Sequence, residues 1–313
     1  MEHKSTPQTI VTNSATAWWL AIRPKTLAGA AMPILVSSAF AYIDSSRGQF
    51  FQIIPAILCL LFALVMQIDA NLVNDYFDYK KGNDDSLTRL GPKRACSEGW
   101  ITPSAMVRGI AVTTIAACFI GLPLIIYGGF EMVYIGIACV IFCFLYTLRL
   151  SYLGLGDVLV LVFFGFVPVC FTYYLELPIS LSKISIEVFL ASMACGLATD
   201  ALLIVNNYRD RDNDRAAHKM TLAVCIGARR TELLYLAVGV AAAVLMAMAV
   251  WMSIGKMTLW PGLLMAAYAV AHATTYRKMV AIGQGRLLNG VLNLTARNIL
   301  LFGLLSIASL LIS

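Results

Sequence analysis

Two stretches of this 313-residue chain place carboxylate and carboxamide oxygens at helical spacing. In the first, residues 71–84, Asn74 and Asp78 stand four apart and so share one face of a helix. Asp75 lies at the edge of that face, and Asp84 follows Gly82, a natural place for a helix to end and the chain to fold back. In the second, residues 206–219, Asn206, Asp210 and Asp214 recur every four residues, and Asn207, three before Asp210, is the other ligand candidate. Like charges four apart repel on a bare helix, so these carboxylates are suited to share a cation. Asn and Asp oxygens suit Mg²⁺, which bridges carboxylates to substrate phosphates. Lys80, Lys81, Lys93, Arg94, Arg209, Arg215 and Lys219 crowd the same stretches and supply cations for phosphate oxygens. The chemistry written here is a metal–diphosphate site. Solvated loops of mixed charge would explain one such cluster; two, each opening with Asn at a helix end, fit that explanation poorly.

The elements that must position these residues are membrane helices. The chain is 60% hydrophobic and 13% charged, where a soluble domain carries about 25% charge. Apolar runs long enough to cross a bilayer predict nine spans at roughly 26–43, 51–73, 106–127, 131–148, 155–175, 186–207, 232–252, 258–275 and 290–311. The fold class is all-α integral membrane, one polytopic domain over 1–313. A polar N-terminal tail, 1–17, lacks the pattern of a cleaved signal peptide. With the N-terminus in the cytoplasm, only Arg47, Lys183 and Lys256 of the 23 Lys and Arg fall outside, as the positive-inside rule requires. That places the protein in a plasma (inner) membrane with its C-terminus outside. It also accounts for the net charge of +6 without a nucleic-acid partner. The clusters fall in cytoplasmic loops at about 74–105 and 208–231, after spans two and six. Four intervening spans put both on one face and suggest two parallel four-helix repeats plus one helix. The eight cysteines sit mostly in apolar runs without CxxC spacing, and His3, His218 and His272 are scattered, so neither type forms a ligand set.

From RPKTL at 23–27 to the last helix the chain resembles the UbiA superfamily of intramembrane aromatic prenyltransferases. Within it the resemblance is to the branch that prenylates 1,4-dihydroxy-2-naphthoate. It is carried by RPKTL, NDYFDYKKGND, LGPKRACSEGWITP at 90–103, YLGLGDVLVLVFFG at 152–165 and NNYRDRDNDRAAHKMTLAV. It departs at Gly82, where many members have an acid, and at Cys225, where relatives often carry a basic residue. The resemblance implies nine transmembrane helices with Asp-rich motifs after helices two and six, binding Mg²⁺ and the diphosphate of a polyprenyl donor. It implies Asn74, Asp78, Asp84, Asn207, Asp210 and Asp214 as metal ligands, with Asp75 as a further candidate. Asn74, Asp78, Asp210 and Asp214 would form the catalytic centre.

Lys25, Arg94, Arg209 and Lys219 are then candidates for the diphosphate oxygens. Arg149, near Tyr146 and Asp157, could hold the acceptor carboxylate or the diphosphate, or serve only as a positive-inside anchor. Tyr146, Tyr152, Phe163, Phe164 and Phe166 could line a dry chamber and face a cation with their rings. The expected partners are a polyprenyl diphosphate, an aromatic acid acceptor and the bilayer. Two other readings compete. A related prenyltransferase would use 4-hydroxybenzoate, homogentisate or haem as acceptor. A secondary transporter would place its acids near the midplane rather than at one face.

Overall fold

The computed structural model describes residues 10–45, 48–82, 89–178, 180–181 and 183–312. Among them the chain forms helices and no strands. A short helix α1, Ala15–Ile22, precedes nine long ones: α2 Pro24–Asp44, α3 Ile53–Lys80, α4 Pro103–Gly121, α5 Glu131–Leu148, α6 Gly156–Glu176, α7 Ile186–Ala216, α8 Ala228–Ile254, α9 Leu259–Ile282 and α10 Leu288–Ile312. Eight of these, with α4 continued to Gly128, are long and apolar enough to cross a membrane. The exception to the nine expected spans is α9, whose 24 residues include His272, Thr274, Thr275, Arg277 and Lys278.

α1, at eight residues, is too short to span and carries no span signal in the sequence. Ser14 caps it, its hydroxyl accepting from the Ala17 N–H at 3.3 Å. Ala17 and Ala21 bury against Leu72, Val73 and Met106. α1 ends at Arg23, a non-glycine residue with φ 54° and ψ 67°, and Pro24 then opens α2. Such a backbone costs about 1–3 kcal/mol and persists where the surroundings demand it.

The largest core joins α2 and α6–α10 around Phe40, Tyr173, Met246, Tyr268 and Phe302. Small residues let these helices approach closely. At Gly165 on α6, an added Cβ would come within 2.5 Å of the Ser192 carbonyl oxygen and 2.9 Å of the Gly196 Cα on α7. Around that contact α6 widens into π-type turns over Leu161–Phe171, a stretch that contains Pro168. Exposed Ile57, Leu61, Ile115, Phe119, Ile126 and Tyr134 make an apolar outer surface on α3–α5, suited to lipid.

The clusters sit on regular helix, which corrects the expected loops. α3 runs on to Lys80 and α7 to Ala216. The stretch 208–231 is thus mostly helical: a turn after Ala216, a short helix Leu222–Ile226, then α8 from Ala228. Apolarity marks where a membrane ends; a helix continues while its backbone bonds remain satisfied, and here it carries the acids beyond the apolar zone.

Candidate active site

The C-terminal turns of α3 and α7 open onto one chamber of ≈1390 Å³. Asn74 and Asp78 enter it from α3, and Asn206, Asn207, Asp210 and Asp214 from α7. Lys25, Arg94, Arg209, Lys219 and Tyr146 line it as well. Of the metal and catalytic candidates among the described residues, all but Asp75 meet in this space, whereas Arg149 and the loop cations Lys80, Lys81, Lys93 and Arg215 do not line it. Asp84 lies outside the described residues.

A guanidinium holds each cluster. Arg94 Nη2 donates to Asn74 Oδ1 at 2.6 Å and stands 3.5 Å from Asp78 Oδ2. Arg209 grips Asp210 with two bonds, Nε to Oδ1 at 2.8 Å and Nη2 to Oδ2 at 2.5 Å. It also donates to Asn206 Oδ1 at 2.9 Å and to Asn289 Oδ1 at 2.8 Å. With only 2% of its surface exposed, Arg209 uses four of its five N–H groups within the protein. Most of the Arg209 donors that the sequence offered to diphosphate oxygens are thus engaged within the protein, where they position Asp210.

Asp75 points away from the chamber. Its two oxygens accept from the Ala95 N–H at 2.9 Å and the Cys96 N–H at 3.0 Å, and the residue is 1% exposed. It pins the turn that carries Arg94 and is no metal ligand in this arrangement. Its charge and the burial of the site push the Cys96 thiol up to about 12, burial being the larger cause. Arg149 is exposed at the C-terminal end of α5, outside the chamber. Tyr152 and Phe166 also leave the expected lining. Tyr152 lies under Lys81, whose Nζ is 4.2 Å from the ring centroid and donates to the Leu148 carbonyl at 2.8 Å. Phe166 packs on Phe171 and Phe189. Phe163 and Phe164 do line the chamber.

The mouth is rich in positive charge. Arg23 and Arg89 line it together with Lys25, Arg94 and Lys219. Burial lowers the Arg23 guanidinium from its ordinary value, and Asp75 and Asp78 pull it back up. Burial, then the charge of Arg23, lowers Arg89 to about 10, with Asp210 opposing. Both remain cations at neutral pH. Cations held this close suit an anion of high charge. In the sequence Arg23 is only part of the RPKTL motif, and neither Arg89 nor Asn289 stands out as a site residue. A residue immediately before proline at a helix junction was the available signal for Arg23; nothing local marks Asn289, 80 positions from its partner.

The donor set suits Mg²⁺. The oxygens come from Asn and Asp alone, and Asp214 Oδ2 is buried without a hydrogen bond while Lys219 Nζ stands 3.5 Å from Oδ1. Among the described residues no three His, Cys, Asp or Glu side chains converge into an all-protein cage. An Mg²⁺ held by one or two carboxylates and completed by phosphate and water needs none. Beside the chamber, Asp157 is buried with both carboxylate oxygens unbonded, facing a small cleft shared with Tyr146, Asn207 and Lys219.

Residues 30–282 match the UbiA prenyltransferase family. Over 220 residues the chain is 36% identical to the 1,4-dihydroxy-2-naphthoate octaprenyltransferase of Haemophilus influenzae, covering 67% of this chain and 69% of that protein. The fold superposes on a UbiA homolog from Aeropyrum pernix K1 with TM-score 0.66 at 17% identity, covering 89% of this chain and 97% of that one. A UbiA homolog from Archaeoglobus fulgidus bound to DMAPP and Mg²⁺ gives TM-score 0.60 at 13% identity, covering 93% and 99%.

Proposed function

The chain belongs to the UbiA prenyltransferase family, and from that premise we propose that it transfers a polyprenyl group from polyprenyl diphosphate to 1,4-dihydroxy-2-naphthoate. The observation that carries this reading is the convergence of two Asn/Asp clusters and a ring of cations at the mouth of one largely apolar chamber. The naphthoate acceptor is supported by the relatives at 32–36% identity that bear that activity in their names.

Asn74, Asp78, Asn207, Asp210 and Asp214 would hold Mg²⁺, with Arg94 and Arg209 setting the side chains of their clusters. Bound there, Mg²⁺ neutralises charge on the departing diphosphate. Lys25, Arg23, Arg89 and Lys219 face the same oxygens. The allylic C–O bond breaks and its electron pair leaves with the diphosphate. Tyr146, Phe163 and Phe164 line the chamber, where aromatic rings stabilise an allylic cation, and the apolar walls exclude the water that would quench it. The electron-rich ring carbon forms the new C–C bond, and the ring carboxylate departs as CO₂, its bonding pair restoring aromaticity. The product is demethylmenaquinol.

The Lys and Arg distribution supports a cytoplasmic chamber mouth, an N-terminus on that side and a C-terminus opposite, in an inner membrane. α9, packed along α8 and α10 over 24 residues, completes nine spans in this reading. The test is purified protein with Mg²⁺, a prenyl diphosphate and a panel of aromatic acids, products identified by mass. The expected outcome is prenylation of 1,4-dihydroxy-2-naphthoate with CO₂ release, lost on chelation. Preference for 4-hydroxybenzoate or homogentisate would overturn the acceptor assignment.

A further inference from the structure

The chamber continues from its charged mouth along α5, where a stripe of Met132, Gly136, Cys139, Val140, Cys143 and Tyr146 is part of its lining. At 1.5 Å per residue this stripe is about 21 Å long. An isoprene unit advances four carbon–carbon bonds of roughly 1.5 Å each, so a dimethylallyl group stays near the mouth while an octaprenyl chain outruns the stripe.

The far end is blocked. Ile34, Cys59, Leu124 and Leu175 pack together there, with Met132 and Tyr127 against them. Two flanking seams are also tight. On α10, a Cβ at Gly303 would collide with the Met32 side chain of α2, and Gly165 and Gly196 bring the backbones of α6 and α7 together. The α5–α6 seam is different. Of the 18 residues of α5 only Thr147 is buried. α5 packs chiefly on α3, and the tilted pair Phe142 and Phe163, centroids 5.3 Å apart, bridges to α6 across the chamber.

Gly136 lies within the first two turns of α5. It lines the chamber, and a Cβ added to it would meet no atom within 4 Å. Its φ needs no glycine, and α5 would gain helix propensity from any ordinary replacement. The position thus offers space that a side chain could fill without disturbing the fold.

Resting on the prenyltransferase reading above, we propose that Gly136 keeps open the path of the distal prenyl tail and thereby sets the longest donor the chamber accepts. The test compares wild type, Gly136→Leu and Gly136→Trp with dimethylallyl, geranyl and octaprenyl diphosphates, reading kcat/KM for each. The ratio of octaprenyl to dimethylallyl turnover should fall at least a hundredfold in Gly136→Trp, ~2.7 kcal/mol, with Gly136→Leu between it and wild type. Competition by octaprenyl diphosphate against dimethylallyl turnover should weaken in the same order. An unchanged ratio, or a uniform loss across all donors, would overturn the proposal. Absence of turnover by wild type with every donor would instead overturn the reading on which it rests.

Discussion

Arg94 does for Asn74 and Asp78 what Arg209 does for Asn206 and Asp210: each guanidinium spans an Asn and an Asp one helical turn apart, at the end of a long helix. The two clusters are built alike, yet the restraint is unequal. Arg209 makes two bonds to Asp210, whereas Arg94 stands 3.5 Å from Asp78 and bonds chiefly to Asn74.

That inequality separates activity from stability. Asp78→Ala is expected to cut kcat/KM at least a thousandfold, ~4 kcal/mol, with little change in unfolding midpoint in detergent. Asp210→Ala should lose as much activity and also destabilise by about 1–3 kcal/mol, because a buried guanidinium is left with fewer partners. Near-normal turnover of either variant at limiting Mg²⁺ would remove its carboxylate from the site.

Asp75 should behave differently. Removing its two backbone contacts in Asp75→Ala should destabilise by about 2–4 kcal/mol. Any activity that remains should keep the wild-type Mg²⁺ dependence. A raised Mg²⁺ requirement with unaltered stability would restore Asp75 to the metal.

Lys219 and Arg149 are both cations on sequence, but only Lys219 reaches the chamber. Lys219→Gln should raise KM for the prenyl diphosphate roughly ten- to a hundredfold, the loss of one charge-assisted contact of about 1.5–3 kcal/mol. Arg149→Gln should leave KM for donor and acceptor within about twofold. A large acceptor KM effect at Arg149 would return it to substrate binding.

Burial and the Asp75 charge raise the Cys96 thiol to about 12. Reaction needs the thiolate, so at pH 8 Cys96 should alkylate about a thousandfold more slowly than an ordinary exposed thiol of pKa ~8.5. Its rate should still climb tenfold per pH unit above pH 10, where the ordinary thiol has levelled off. Peptide mapping after N-ethylmaleimide treatment measures this; labelling at the reference rate at pH 8 would show the Asp75 clamp to be open.

Composition and helical periodicity alone determined the membrane class, the approximate span positions and the shared face of Asn74 with Asp78. These depend on transfer of side chains to lipid and on the 3.6-residue turn, both local properties of the chain. The even number of spans between the clusters likewise put them at the same end. What stands opposite each side chain is not local. Asp75 and Asp78 are three residues apart on one helix, yet one clamps the backbone at Ala95 and Cys96 while the other faces the chamber. Arg23 gained its place from a left-handed junction between two helices, and Arg209 lost its expected freedom to Asn289, 80 positions away. Only the packing of α2, α3, α7 and α10 decided which charges met solvent, which met one another, and which were left facing the chamber.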